Sequence, residues 1–269
     1  MTPKPQIGLI GLDFDWTLMN HNPGGPKVPP ETIDILTELC EEGIFCGLAS
    51  GRYWWEMRDE LEAQGLPWGD PFPSFFCTRE TFIYWVGLDA LEPDLEWNTA
   101  RRAEMRELVH QISERQTSWR LSLEAAGLHP KRWWLWGDYG LEVNMGNPEE
   151  AQRARLVLAE LSAELPLAET HRNGSLAHVV LTTATKGGCL RHAAATRGLR
   201  PDQVLAFGDS ANDLSMLDGR YGLRSATMAN GDAEVKAAVR ANGGWITEGV
   251  ASTGIHELLH EFRLRGWYA

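Results

Sequence analysis

Two aspartates separated by one residue follow an apolar run near the start of the chain. Ile7–Leu12 predicts a buried strand, and Asp13 and Asp15 come directly after it. Two carboxylates this close repel each other unless a positive charge lies between them, and carboxylate oxygens are ligands that Mg²⁺ prefers. The spacing therefore indicates a divalent-cation site, while two solvated loop aspartates are the alternative interpretation.

A second segment, Ser50-Gly51-Arg52, follows another apolar run at the expected start of a helix. Backbone N–H groups at a helix N-terminus, together with a hydroxyl group, can bind a phosphate. The segment therefore indicates a phosphate site, and an ordinary N-cap serine is the alternative.

Two later segments place charged groups at similar junctions. Lys186 stands at the expected start of a helix, where a cation opposes the helix dipole, so this placement predicts an anionic partner. An exposed surface lysine is the alternative. After the predicted strand Val204–Phe207 come Asp209, Asn212 and Asp213, which at this spacing can face one point and bind a hard cation directly or through water.

The elements that must position these segments alternate between strand and helix at both ends of the chain. This order predicts an α/β fold with a Rossmann-like, doubly wound parallel sheet. In such a sheet the carboxyl ends of the strands form the ligand site. Because all four segments lie where predicted strands end or predicted helices begin, we expect them to meet at that edge.

The middle of the chain has a different pattern. It predicts a helix over 99–115, a hairpin of strands 132–136 and 141–144, a helix capped by Asn147 that runs to about 164, and a strand over 178–182. We therefore expect an α+β domain at 81–185, inserted into a core domain formed by 1–80 and 186–269.

Composition excludes several classes of function. The chain has 269 residues and a formal net charge of −12, and such a charge argues against nucleic acid as a partner. The apolar run near the start is too short to span a bilayer, so we expect no membrane partner. Four cysteines without metal spacing predict reduced thiols and a cytoplasmic location. Monomer and homodimer both remain open.

The four segments, taken in order, resemble the motifs of the haloacid dehalogenase-like phosphohydrolase superfamily. Those motifs are D-x-D-x-T, a strand-end Ser or Thr, a Lys, and a G-D-x-x-N-D type loop, and the resemblance covers 1–80 and 186–269. The inserted domain is similar to the class-two α+β cap of the Cof-like class-IIB branch. Met228–Gly231 followed by Lys236 resembles a further segment of that branch.

Within this branch the chain is similar to the sugar-phosphate phosphatases, a group that includes the sucrose-phosphate phosphatases. Residues 75–84 and 93–97 loosely match segments of that group. Three departures concern Trp16, where many members carry Gly, Ser50, where Thr is commoner, and the inverted order Glu80-Thr81. None of them removes a catalytic group.

The resemblance implies roles for the matched residues. Asp13 would be the nucleophile, Asp15 the general acid and base, and Ser50, Gly51, Arg52 and Lys186 would bind the phosphate. Asp13, Asp209 and the backbone carbonyl of Asp15 would hold Mg²⁺. Asn212 and Asp213 would complete the shell around the ion or orient its waters and Lys186.

The implied function is that of a Mg²⁺-dependent phosphatase, a phosphoric monoester hydrolase. Its substrate would be a small phosphorylated metabolite, a sugar phosphate above all, cleaved through an aspartyl-phosphate. A sugar phosphomutase of the same branch and a non-catalytic sugar-phosphate-binding protein are the alternatives.

The chain has 12 tryptophans, and six of them fall in the expected cap. Flat aromatic faces suit the apolar faces of sugar rings, whereas packing in the cap's own core is the alternative. The candidates for contact with the leaving group are Arg132, Trp133, Trp134, Trp136, Asn144 and His178.

Overall fold

The computed structural model describes residues 6–23, 27–66, 69, 71–87 and 90–268. The chain forms two compact units, one of Met1–Asp94 with Lys186–Ala269 and one of Leu95–Thr185. Among the described residues no helix is both long and apolar enough to cross a membrane. The four cysteines are free.

Before the insertion, the first unit contains five strands and two helices. These are β1 (Leu9–Asp13), α1 (Pro30–Glu41), β2 (Phe45–Ala49), α2 (Trp54–Ala63), β3 (Phe75–Thr78), β4 (Phe82–Val86) and β5 (Leu91–Pro93).

The second unit is a single stretch of chain. Its elements are α3 (Leu95–Ala125), β6 (Arg132–Trp136), β7 (Gly140–Asn144), α4 (Pro148–Leu161), β8 (Ala168–Asn173) and β9 (Leu176–Leu181).

After the insertion the chain returns to the first unit. The remaining elements are α5 (Lys186–Thr196), β10 (Val204–Phe207), α6 (Leu214–Leu217), β11 (Arg224–Thr227), α7 (Ala233–Ala241), β12 (Trp245–Ile246) and α8 (Ser252–Arg265).

The first unit is built on an eight-stranded sheet in the order β12-β11-β10-β1-β2-β3-β4-β5. The strands from β12 to β3 are parallel, and β4 and β5 are added antiparallel. The chain leaves β1 toward β2 on one side and returns through β10 on the other, so the strand order reverses beside β1. The predicted α/β fold with a parallel sheet is confirmed.

Residue size on β1 explains how helices cover both faces of this sheet. Ile10 and Leu12 are fully buried in the cluster that contains the apolar faces of α1 and α8. On the opposite face, a Cβ on Gly11 would lie 2.4 Å from Leu190 of α5. Glycine therefore lets α5 approach the central strand, while large aliphatic side chains fill the other side.

The first boundary between the units lies after Asp94, beyond the expected position at 81. Residues 82–93 form β4 and β5, which extend the large sheet by pairing with β3 and with each other. This stretch therefore belongs to the first unit by hydrogen bonding. The second boundary between the two units falls at Lys186. The division into a catalytic core and an inserted cap domain stays a prediction.

The second unit packs two helices on one face of a four-stranded antiparallel sheet, β6-β7-β9-β8. Leu141, Val143 and Val179 lie on the face that packs in a common cluster with α3 and α4. The predicted hairpin is β6–β7, and Asn147 caps α4 by accepting a hydrogen bond from the Glu150 N–H at 2.8 Å. The helix expected over 99–115 is longer, and the strand β8 was not expected.

Candidate active site

Asp13 is the last residue of β1, the strand at which the sheet order reverses. Asp13 lies opposite Ala49 in the parallel pair of β1 and β2, and β10 pairs with β1 on the other side. The turn that follows is held by backbone hydrogen bonds from Leu18 N to Asp13 O (3.2 Å) and from Met19 N to Phe14 O (2.7 Å). Asp13 is 5% exposed, so its carboxylate lies almost buried at the carboxyl edge of the sheet.

Lys186, the first residue of α5, extends its side chain to this carboxylate. Its Nζ donates to Asp13 Oδ1 and to Asp213 Oδ1, each at 2.6 Å. Lys186 is 1% exposed and Asp213 is fully buried. These two carboxylates are therefore the anionic partners of a lysine that the helix dipole alone would disfavour.

The loop after β10 is organised around the buried side chain of Asp213. Its Oδ2 accepts the backbone N–H groups of Asp209 (2.9 Å) and Ser210 (3.0 Å). A Cβ at Gly208 would lie 2.5 Å from Asp213 Cβ, so glycine is needed for this close approach. Asp209 in turn accepts a hydrogen bond from Thr17 Oγ1 at 3.1 Å, which joins this loop to the turn after β1.

Three carboxylates could hold a metal ion together. Asp13, Asp209 and Asp213 each offer an oxygen, and these oxygens lie within 4.8 Å of one another. A group of carboxylate oxygens in a buried site is the donor set that Mg²⁺ takes, so the residues fit the ion that the fold implies. The carboxylate of Asp15 lies outside this group, and a contribution from its backbone carbonyl stays a prediction.

The pKa values of these carboxylates also indicate that the cluster would be stabilised by an added cation. Burial, together with the charge of Asp213, raises the pKa of Asp13 well above its ordinary value. The same two causes raise the pKa of Asp209 to about 7. Burial alone would lower the pKa of Lys186, but Asp13, Asp213 and Glu80 together raise it well above its usual value. A divalent cation would relieve the repulsion that opposes ionisation of the carboxylates.

The segment after β2 differs from a simple helix cap. Helix α2 begins at Trp54 with Tyr53 as its N-cap residue, so neither Ser50 nor Gly51 caps it. Ser50 is buried, and its Oγ accepts the Arg52 N–H at 3.1 Å. Ser50 therefore ends β2 in a tight turn beside the strand that carries Asp13.

Arg52 points its guanidinium at Asp15. Its Nε donates to Asp15 Oδ2 and its Nη2 to Asp15 Oδ1, both at 2.7 Å. These two hydrogen bonds fix the orientation of the carboxylate that the sequence resemblance makes the general acid. Binding of a phosphate by Arg52 stays a prediction.

Two residues at the site were not identified from the sequence. His21 Nε2 lies 2.7 Å from Asp15 Oδ1. Glu80, which is buried, accepts a hydrogen bond from Asn212 Nδ2 at 2.9 Å and lies 3.9 Å from Lys186 Nζ. Glu80 belongs to the loosely matched segment 75–84, and that match was its one signal; His21 lies in a loop and had none.

The second unit separates the tryptophans of its hairpin between two faces. Trp133 packs against the core and donates its indole N–H to Gln116 Oε1 at 3.2 Å. Trp134 and Trp136 lie on the opposite face with their ring centroids 6.3 Å apart. The Arg132 guanidinium lies over the Trp134 ring at 5.5 Å.

His178 and Asn144 lie on that same face. His178 is buried, with its ring 4.7 Å from that of His171 and 5.4 Å from that of Tyr139. Asn144 Oδ1 accepts the backbone N–H of Gly146 at 2.8 Å, a local turn contact. Trp68 lies outside the described residues.

Comparison with known proteins agrees with this geometry. Residues 147–259 match the family model described as haloacid dehalogenase-like hydrolase. The chain is similar to the haloacid dehalogenase-like hydrolases over this segment, which is less than half of its length. It is also 27% identical over 127 residues to a phosphoglycolate phosphatase of Methanosarcina acetivorans, a match that covers 47% of this chain and 52% of that enzyme. The chain thus spans about half the length of this curated relative.

Solved structures of known phosphatases share the fold over nearly the whole chain. The sucrose-phosphatase of Synechocystis sp. PCC6803, solved with sucrose and phosphate, has a TM-score of 0.68 at 17% identity and covers 96% of this chain and 98% of its own. A subclass IIB sugar phosphatase, BT4131, has a TM-score of 0.60 at 18% identity, with 95% and 99% covered. At these identities the likeness establishes the fold.

Proposed function

We propose that this chain is a haloacid dehalogenase-like hydrolase, a Mg²⁺-dependent phosphatase that cleaves a small sugar phosphate through an aspartyl-phosphate. The observation that carries the proposal is the contact of Lys186 with Asp13 and Asp213 at the carboxyl edge of the sheet. In this arrangement the buried Asp13 carboxylate can act as the nucleophile, and the ammonium group of Lys186 beside it can bind the anionic phosphate.

The first half of the reaction transfers the phosphoryl group to the protein. Asp13 Oδ attacks phosphorus, the bond from phosphorus to the ester oxygen breaks, and Asp15 gives its proton to the departing alkoxide. Lys186 neutralises charge on the phosphate oxygens that do not react, and Ser50 and the Gly51 N–H bind them as well. The products of this step are the free alcohol and phosphorylated Asp13.

The second half returns the enzyme to its starting state. Asp15, now a carboxylate, takes a proton from water while the water oxygen attacks phosphorus. The bond from phosphorus to Asp13 breaks, and inorganic phosphate leaves. Arg52 and His21 hold Asp15 in both halves, because their hydrogen bonds orient its two oxygens.

Asp13 and Asp209 would hold Mg²⁺, with Asp213 beside them. The bound ion would supply positive charge to the phosphate oxygens at a site whose carboxylates otherwise repel a dianion. This role matters in a protein with a formal net charge of −12.

A sugar as the leaving group is supported by two observations. The sucrose-phosphatase and the subclass IIB sugar phosphatase share the fold of this chain over more than nine-tenths of its length. The second unit presents Arg132, Trp134 and Trp136 on one sheet face, where flat rings could meet a sugar. We propose that this unit takes part in substrate selection, and that the four free cysteines suit a reducing, cytoplasmic setting.

The test is release of inorganic phosphate from a panel of sugar monophosphates with and without MgCl₂. We expect turnover that requires Mg²⁺ and falls at least 10³-fold in Asp13→Asn, because an amide cannot form the aspartyl-phosphate. Thermal unfolding of both proteins serves as the control for folding.

The same reactions followed by ³¹P NMR separate the alternative activities. Conversion of one sugar phosphate into an isomer without release of free phosphate would show that the protein is a mutase and not a phosphatase. Full turnover by Asp13→Asn would show that Asp13 is not the nucleophile. If the wild type converts no ester in the panel, the proposed enzymatic role is contradicted.

A further inference from the structure

The carboxylate of Asp15 marks the side of the active site that meets the leaving group. In the proposed reaction this group protonates the ester oxygen, so atoms beyond that oxygen must lie next to Asp15. The Asp15 side chain is 34% exposed, whereas that of Asp13 is 7% exposed. The leaving group therefore occupies the open side of the site, beside the neighbours of Asp15.

Those neighbours include an aromatic pair. His21 Nε2 lies 2.7 Å from Asp15 Oδ1, and the His21 ring meets the Trp16 ring edge to face at 5.3 Å between centroids. Trp16 is 41% exposed, so much of its indole is open to solvent. An exposed indole thus lies one residue from the general acid and in contact with the acid's partner.

The backbone of Trp16 is unusual for a residue of this size. Its φ is +61°, in the left-handed region that favours glycine. Two hydrogen bonds hold it there, from Trp16 N to Met19 O at 2.8 Å and from Asn230 Nδ2 to Trp16 O at 2.7 Å. Strain that the surroundings maintain at an active site is an indication that the side chain is used.

We propose that Trp16 and His21 form a subsite for the ring of a cyclic sugar phosphate. The inference rests on the proposed function. It makes cyclic sugar phosphates the substrate class and gives two residues of the first unit the role of selecting them. A pyranose has an apolar face of C–H groups, which packs on the open face of the indole, and hydroxyl groups at its edge, which reach polar groups near Asp15. An open-chain ester with the same number of carbons lacks that face.

Glucose 6-phosphate and sorbitol 6-phosphate form the matched test pair, because they share six carbons and a primary phosphate and differ in the ring. We expect the wild type to cleave glucose 6-phosphate with a kcat/KM roughly tenfold above that for sorbitol 6-phosphate, the effect of one apolar contact. Trp16→Ala and Trp16→Gly should abolish this preference by raising KM for the ring ester, with kcat changed less than twofold. Trp16→Phe should restore most of it.

Two comparisons separate the ring contact from an effect on folding. Trp16→Gly relieves the left-handed strain and Trp16→Ala retains it, so equal loss of ring preference in both assigns the effect to the indole. Trp55, also 41% exposed, stacks on Tyr53 at 4.2 Å between ring centroids, and Trp55→Ala is the matched control, expected to keep the ring preference. An unchanged preference in Trp16→Ala, or equal loss on both esters, would overturn the subsite.

Equilibrium binding keeps this inference separate from the proposed function. Calorimetry with glucose 6-phosphate compares Asp13→Asn with the double variant Asp13→Asn/Trp16→Ala, and we expect a Kd roughly tenfold higher in the double variant. An unchanged Kd refutes the subsite even if the wild type is an active phosphatase. If binding falls as expected but no ester is hydrolysed, the subsite stands and the phosphatase proposal fails.

Discussion

Glu80 adds a further carboxylate to a site already rich in them. It is buried, its φ is +55°, and it accepts a hydrogen bond from Asn212 while lying 3.9 Å from Lys186 Nζ. Its backbone N–H also donates to Ser50 O at 2.9 Å. Glu80 therefore links the Ser50 turn, Lys186 and the loop after β10.

We expect Glu80→Ala to lower kcat about tenfold and the free energy of unfolding by about 2 kcal/mol. The truncation leaves the Asn212 amide without its acceptor and removes a charge that faces Lys186. Glu80→Gln keeps an acceptor oxygen and should recover most of the stability but less of kcat. The measurements are urea unfolding and phosphate release.

Glu41→Gln, a neutralised acid at an exposed position of α1, is the matched control and should change neither quantity. A Glu80→Ala protein with wild-type kcat would show that Glu80 has no part in positioning Lys186.

The residues that sequence reasoning found are those whose type and position both carry information. Asp13 and Lys186 stand at strand and helix ends, so their clustering follows from the topology of a parallel sheet. Glu80 and His21 reach the site from turns, where their direction depends on local backbone conformation. The left-handed φ of Glu80, which aims its side chain inward, has no signature in a glutamate.

The secondary-structure predictions agree with the structure where apolar residues recur with a regular period. They fail where a strand forms only through hydrogen bonds to a neighbouring strand. Strand β10 and the β6–β7 hairpin match their expected bounds closely. Strand β8 has the sequence AETHRN, which lacks an apolar face, and it forms by hydrogen bonding along β9. Helix α3 extends to Ala125, beyond the predicted end at 115. Trp119 and Leu123 continue its buried face there.

The loop after β10 depends on a glycine, and we expect Gly208→Ala to be destabilising by about 1–3 kcal/mol. The added methyl group would lie 2.5 Å from Asp213 Cβ, and Asp213 cannot yield because Lys186 and two backbone N–H groups hold it. Displacement of Asp213 should also lower kcat. Urea unfolding and phosphate release measure the two effects.

Gly137 offers the comparison for this substitution. A Cβ there would meet nothing within 4 Å, so Gly137→Ala should stay within about 0.5 kcal/mol of the wild type. Equal stabilities of the two alanine variants would show that the loop after β10 can move away from the added methyl group.

For the whole molecule, the buried carboxylates predict that Mg²⁺ stabilises the folded state. The oxygens of Asp13, Asp209 and Asp213 approach one another closely only after folding, so an ion that bridges them binds the native chain preferentially. At a concentration 100 times its Kd, the ion should add about 2.7 kcal/mol to the free energy of unfolding. Thermal unfolding over a MgCl₂ titration measures this.

Asp209→Asn should lose most of the Mg²⁺-dependent rise in melting temperature while raising the melting temperature of the metal-free protein, because one repelling charge is gone. NaCl at matched ionic strength controls for screening of the net charge. The same rise with NaCl, or an undiminished rise in Asp209→Asn, would argue against a specific ion at these three residues.

The hydrogen bond between Trp16 and Asn230 joins residues 214 positions apart, and that between Thr17 and Asp209 joins residues 192 apart. A ribosome makes the turn after β1 well before the two partners that fix its shape. The second unit, by contrast, has its core within Leu95–Thr185, so its contacts become available in one continuous stretch. During translation the unit proposed to select the substrate can therefore take shape first, and Asp13, the proposed nucleophile, acquires its lysine and its turn only afterwards.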